Sequence, residues 1–184
     1  MDLRGWVPAT AGNLSVRLDA GRIAITRSGR HKGFLEADDL MVVDHTGAAL
    51  TPNARPSAET LLHCQLYQMF PDINAVLHGH SVAATVLSMV AEDSIDFSDY
   101  EVLKAFDGQG THAVTLSLPV LDNDQDMPRL TERLRPLLQA GAPMGYVLRG
   151  HGAYAWGPDM KTAAVRLEAL EFLLTCELER RKLR

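Results

Sequence analysis

Residues 75–86 read AVLHGHSVAATV. The apolar run into His78 predicts a strand over residues 75–80, and Ser81 is a residue type that caps helices, here one carrying Val82, Val86 and Met89. A strand thus delivers directly into a helix, with two histidines at the junction. Side chains two apart on a strand leave the same face, so His78 and His80 can converge on one ion, and neutral imidazole nitrogens suit zinc. A polar pair facing water at a strand end is the other reading, and the local sequence leaves both open.

Upstream of this junction, Arg22 to Arg27 alternates apolar and polar residues and Leu40 to Asp44 is a short apolar run, so both predict strands. Ser57-Ala58-Glu59 leads into Leu61, Leu62, Leu66, Met69 and Phe70 at helical spacing, which predicts a helix starting at Ser57 and stopping at Pro71. Downstream, an acidic stretch from Asp93 to Asp99 precedes an extended segment, Ala113 to Leu121. A helix is expected over Asp126 to Gln139, with Pro128 in its first turn and Gly141-Ala142-Pro143 ending it. Gly145 to Leu148 and Ala153 to Trp156 read as strands around Arg149-Gly150-His151-Gly152, and Gly157-Pro158-Asp159 breaks into a last helix. That helix repeats Met160, Ala163, Ala164, Leu167, Leu170, Leu174 and Leu178, and places Arg180, Arg181, Lys182 and Arg184 where its dipole favours cations. Strands and helices mix without regular parallel alternation, which predicts an α/β fold with a mixed, mostly antiparallel sheet and helices packed on it.

With 184 residues and 46% apolar content, the chain suits a single domain spanning 1–184, without internal repeats or linkers. The formal charge of −5 and the interleaving of signs provide no basic stripe for nucleic acid or an anionic membrane. No segment is apolar enough to span a bilayer and the first residues lack a secretory pattern, so a cytoplasmic protein is expected. Cys64 and Cys176 fall in helical segments without metal or redox spacing and read as reduced, buried thiols.

A third imidazole would complete a catalytic metal site with an open position, and His151, flanked by glycines that permit close approach, is the candidate. An exposed histidine at a hairpin tip is the alternative. His31, His45, His63 and His112 suit structural or solvent roles. Two glutamates compete as proton carriers. Glu59 lies at a helix start, where the dipole alone would favour it, and Glu101 lies in a fairly apolar neighbourhood expected to raise its pKa, unless it pairs with Lys104. Anion donors are offered by Asn13 in Ala11–Ser15, by Ser28, Gly29 and Lys32 in Thr26–Gly33, and by Ser57 at the expected helix start. Each of these segments is also an ordinary turn signal.

In chain order, Gly12-Asn13, Thr26-Arg27-Ser28-Gly29, Pro56-Ser57-Ala58-Glu59, His78-Gly79-His80 and Gly150-His151-Gly152 together resemble the class II aldolase and adducin-head family, from Gly5 to the last helix. Within it, Pro56 to His63, Asp99-Tyr100-Glu101 and Asp122 to Asp126 are similar to the dehydratase branch of methionine salvage. The resemblance implies a three-layer αβα fold and a homotetramer with active sites between subunits. It also implies one Zn²⁺ per subunit held by His78, His80 and His151, and a sugar-phosphate substrate. It implies Glu101 as acid-base residue and Asn13, Ser28, Gly29 and Ser57 as phosphate ligands, with His31 and Lys32 adding charge. Glu59 matches the acid-base residue of the sugar-phosphate aldolases and is here catalytic, supporting, or a brake on the free site. Relatives carry a longer N-terminal helix before Arg4-Gly5-Trp6, which is expected to be shortened here. A class II aldolase or pentulose-phosphate 4-epimerase acting through Glu59 is the alternative enzyme, and a non-catalytic adducin-head-like module the alternative outside catalysis.

Overall fold

The strand-to-helix junction forms where the sequence places it. Strand β1 (Asn13–Arg17), β2 (Arg22–Thr26) and β3 (Leu40–Asp44) precede α1 (Thr60–Met69), and β4 (Ala75–Gly79) then ends at the histidines. Ser81 Oγ accepts from the Ala84 amide at 2.9 Å and starts α2 (Val82–Val90). Strands β5 (Ser94–Ser98) and β6 (Thr115–Leu121), helix α3 (Met127–Ala140), strands β7 (Tyr146–Leu148) and β8 (Gly152–Gly157), and helix α4 (Met160–Lys182) complete the chain. The computed structural model describes residues 1–142 and 144–183; the expected helix stop at Pro143 and the terminal cation Arg184 lie outside the described residues.

Among the described residues, eight strands form one sheet in the order β3-β2-β1-β4-β8-β7-β6-β5. Only β6 and β7 pair in parallel; every other neighbour is antiparallel, as expected. Alternation along each strand sends side chains to two cores. On one face, Leu62 and Leu66 of α1 and Leu130, Leu134 and Leu138 of α3 pack on Ile23, Val43, Val76 and Tyr154. On the other, Ala84 and Leu87 of α2 and Leu170, Leu173 and Leu174 of α4 pack on Phe97, Leu118, Val147 and Ala153. The architecture is therefore the three-layer αβα sandwich, with the sheet as its middle layer.

Three expectations are corrected. The expected helix start at Ser57 moves to Thr60. Residues 58–59 form a turn, Thr60 Oγ1 donates to the Ser57 carbonyl at 2.7 Å, and Glu59 occupies the cap position without its side chain capping. Asn13, expected in a donor loop, begins strand β1, whose inward positions Asn13 and Ser15 are polar. The acidic stretch is strand β5, with Ile95 and Phe97 buried and the polar residues between them exposed.

The strand directions fix two ends of the molecule. β4 runs toward His78; β8 starts beside it, pairing Ala153 with Gly79, and β7 ends there, pairing Leu148 with Gly152. β6 ends beside β7, pairing Leu121 with Leu148. β5 begins near the same end, pairing Ser94 with Pro119, and runs to Ser98 at the opposite end.

Leu134 is fully buried between α3 and the sheet. Leu134→Ala should lower the unfolding free energy by about 2–5 kcal/mol, read as a lower urea midpoint with an unchanged slope.

Candidate metal centre and its cavity

His78, His80 and His151 come together, each offering a ring nitrogen within 4.8 Å of the others. Their ring centroids form a triangle with sides of 4.5, 4.5 and 4.9 Å. His78 Nδ1 donates to the Ala153 carbonyl at 3.0 Å, which leaves its Nε2 as a lone pair aimed into the triangle. That Nε2 stands 3.4 Å from His151 Nε2, the edge expected of a tetrahedron with zinc–nitrogen bonds of about 2.0–2.1 Å. The His78 ring is stacked on Tyr154 at 4.0 Å, and Tyr154 in turn on Tyr146 at 4.6 Å. On these observations the three residues fit a metal ion.

The segment carrying His151 is tied down. Arg149 donates to the Ser88, Ala91 and Glu92 carbonyls at the end of α2 and to Asp122, while Gly150 N donates to Ser88 Oγ at 3.0 Å. Gly152 must be glycine, because a Cβ there would collide with the Gly79 carbonyl oxygen and lie 3.0 Å from His78 Cε1. Gly12 is held to glycine in the same way, with φ +76° and a Cβ position 2.7 Å from the His78 carbonyl oxygen.

Burial disfavours the charged form of all three imidazoles. Burial, then repulsion from His80 and His151, pushes His78 well below its ordinary range. Burial, then the charges of His151 and Lys32, pushes His80 down to about 4. Burial lowers His151, and the Glu59 carboxylate partly offsets it. Burial likewise lowers Lys32, again against Glu59.

Beside the triangle lies a cavity of about 230 Å³ lined by His80, Glu59, Ser57, Ser28, Gly29 and Lys32, with Thr10, Ala11, Gly12 and Ala58. Two loops converge there because Arg27 bridges to Pro56 and the Ser28 amide donates to the Arg55 carbonyl at 3.0 Å. Lys32 Nζ is braced by the Thr10 and Arg30 carbonyls at 2.6 and 2.7 Å. Asn13 is buried beneath the cavity. Its Nδ2 donates to Glu59 Oε2 at 2.6 Å and Ser57 Oγ at 3.0 Å. His31 instead accepts from the Gly33 amide with Nδ1 and packs on Phe34.

Glu101 does not join this group within one chain. It follows β5 at the far end of the sheet, about 13 Å along that strand at roughly 3.3 Å per residue from the end nearest the histidines. The expectation of a raised pKa is corrected: its side chain is 71% exposed, Lys104 Nζ lies at 2.5 Å and His112 at 3.5 Å. The Lys104 hydrogen bond, with the charges of Lys104 and His112, holds the carboxyl below its usual range. In the short turn of helix over Glu101–Ala105, Leu103 is the residue that points inward.

Sequence reasoning missed the part played by His63. It is fully buried; its Nε2 meets Asn13 Oδ1, and its Nδ1 lies 2.7 Å from Ser15 Oγ, which is 2.7 Å from Tyr67 Oη. Burial pushes His63 down to about 3. The available signal was the buried-face position of His63 and Tyr67, one helical turn apart on α1.

The chain belongs to the class II aldolase and adducin N-terminal domain family, whose sequence model matches residues 1–178. More particularly, it is 63% identical, across all of its length and 88% of the relative's, to the methylthioribulose-1-phosphate dehydratase of Granulibacter bethesdensis. It is 62% identical to that of Gluconacetobacter diazotrophicus, over 99% of this chain and 89% of the relative. Among solved structures, the L-fuculose-1-phosphate aldolase of Thermus thermophilus superposes with a TM-score of 0.77 at 26% identity, over 99% of this chain and 90% of that one. No helix among the described residues is long and apolar enough to cross a membrane.

Gly152→Ala should lower bound metal per chain relative to the parent, measured by elemental analysis after gel filtration. Acid stability follows from His63, whose folded pKa of about 3 lies below its unfolded value of 6.5. As pH falls below 6.5 the unfolded chain gains a proton that the folded chain refuses. This contribution is complete above pH 6.5 and is lost as pH falls toward 3. Thermal melts of metal-stripped protein should show a shallower acid limb in His63→Gln than in the parent.

Proposed function

We propose that this chain is a zinc-dependent hydro-lyase that converts 5-methylthioribulose 1-phosphate to 2,3-diketo-5-methylthiopentyl 1-phosphate in methionine salvage. The observation that carries the reading is the juxtaposition of the three-histidine group with a cavity lined by anion donors and a carboxylate. The names borne by the relatives at 62–63% identity supply the substrate. Zinc on His78, His80 and His151 would supply a Lewis acid for the C2 carbonyl oxygen and the neighbouring C3 hydroxyl.

The chain's own residues do the rest. Lys32 Nζ, Ser28 Oγ, Ser57 Oγ and the Gly29 amide bind the phosphate at the cavity end formed by the two bridged loops. Asn13, expected there as a ligand, acts from beneath by holding Ser57 and Glu59. Glu59 accepts a hydrogen bond from a substrate hydroxyl and so fixes the sugar carbons. The C3 proton passes to the Glu101 carboxylate, which returns it to the C4 hydroxyl as that group leaves as water. The resulting enol then tautomerises to the diketone.

Because Glu101 lies at the far sheet end of its own chain, we assign it to the site of a neighbouring subunit in a homotetramer. Helix α2 supports self-association. Val82, Val86, Met89 and Val90 leave an exposed apolar stripe at helical spacing, and Met89 lies against Gly150, beside His151.

Purified protein given methylthioribulose 1-phosphate should form the diketone, with fuculose and rhamnulose 1-phosphates unreactive; release of dihydroxyacetone phosphate would favour an aldolase acting through Glu59. Glu101→Gln and His151→Ala should each be inactive alone. Mixed assemblies of the two should regain activity, because some interfaces combine an intact histidine triangle with an intact Glu101. Absence of recovery in verified mixed assemblies would remove the in-trans assignment.

A further inference from the structure

We propose that Tyr67, Ser15, His63 and Asn13 form a one-directional positioning relay that aims the Glu59 carboxylate into the cavity. The inference deepens the reading above and rests on Glu59 touching the substrate there.

The direction follows from donor chemistry at each link. A carboxylate only accepts, so the Asn13 group 2.6 Å from Glu59 Oε2 is the amide nitrogen. The Asn13 oxygen therefore accepts, and the proton it accepts is on His63 Nε2. His63 Nδ1 is then bare and takes the Ser15 hydroxyl proton across 2.7 Å. Ser15, having given its only proton, accepts from Tyr67 Oη–H at 2.7 Å. Asn13, Ser15, His63 and Tyr67 are all at most 3% exposed, so water offers no competing partner.

Core stability does not require this arrangement. The strands on either side of β1 place Ile23, Ile25 and Val76 in the same core, and a buried polar series is seldom better than apolar packing of equal volume. What the polar series adds is a fixed orientation, and it ends on the carboxylate that lines the cavity. Ser57 Oγ also donates to Glu59 Oε2, at 3.2 Å.

The test compares His63→Leu, which removes the donor to Asn13, with His63→Gln, whose amide can still supply it. Tyr67→Phe removes only the first link. His63→Leu should lower kcat between about 10- and 100-fold, the scale of a misplacement near 1 Å, while KM and zinc content stay at parental values. His63→Gln should restore most of the loss, and Tyr67→Phe should fall between it and the parent. Equal losses in the Leu and Gln variants, losses tracking zinc content, or no loss at all where Glu59→Gln is impaired would each overturn the relay.

A readout independent of activity is the tautomer. Nitrogen NMR of histidine-labelled protein should show His63 protonated at Nε2 and bare at Nδ1, and the reverse assignment overturns the relay. Glu59→Gln separates the two readings. Loss of activity there with none in His63→Leu removes the relay alone. Full activity in Glu59→Gln removes the role of Glu59 in the reaction, and the tautomer then decides the relay by itself.

Discussion

The site depends on the register between β4 and β8. Because Gly79 pairs with Ala153 and His78 with Tyr154, the Ala153 carbonyl reaches His78 Nδ1 while the Tyr154 ring lies flat against the imidazole. A slip of one residue would send Tyr154 to the opposite core and withdraw the carbonyl that fixes the His78 tautomer. Both cores guard against that slip: Tyr154 is committed to the α1/α3 face and Ala153 to the α2/α4 face. Hydrophobic burial, the largest favourable term in folding, thereby sets the direction of a nitrogen lone pair.

The same strand directions separate the two carboxylates. Glu59 reaches the cavity in its own chain, held from below by Asn13, whereas Glu101 is carried by β5 to the other end of the sheet and stands in solvent beside Lys104. A salt bridge this exposed contributes little to stability, so it constrains Glu101 only weakly and leaves it free to take another partner. The apolar stripe of α2 lies at the other end, next to the loop carrying His151.

Much of this was legible from the residues alone. The strand-to-helix junction at Ser81, the helices α3 and α4 and the strands β2, β3, β4, β7 and β8 all carry periodicities that a single sequence exposes, whereas spacing and flanking glycines made His78, His80 and His151 candidates that the family resemblance joined into one set. Strand β1 was hidden because its buried positions are Asn13 and Ser15, polar residues whose partners His63 and Tyr67 lie some fifty residues away. Strand β5 was hidden by its exposed acidic residues, although Ile95 and Phe97 alternate as a strand should. Glu101 was misjudged because apolar neighbours in sequence, such as Leu103, turn inward while the glutamate turns out. Local patterns report which face a residue takes, whereas pairing at a distance decides what it meets there.

The Arg27–Pro56 bridge has a consequence for how such proteins diversify. It ties the two cavity-lining loops to each other, while the imidazoles are anchored by β4, β8 and the Arg149 clamp. Gly12 and Asn13 join the two supports, so a change in either must leave that corner in place. A lineage can therefore vary the outer parts of the two loops more freely than the glycine-asparagine corner that both halves share.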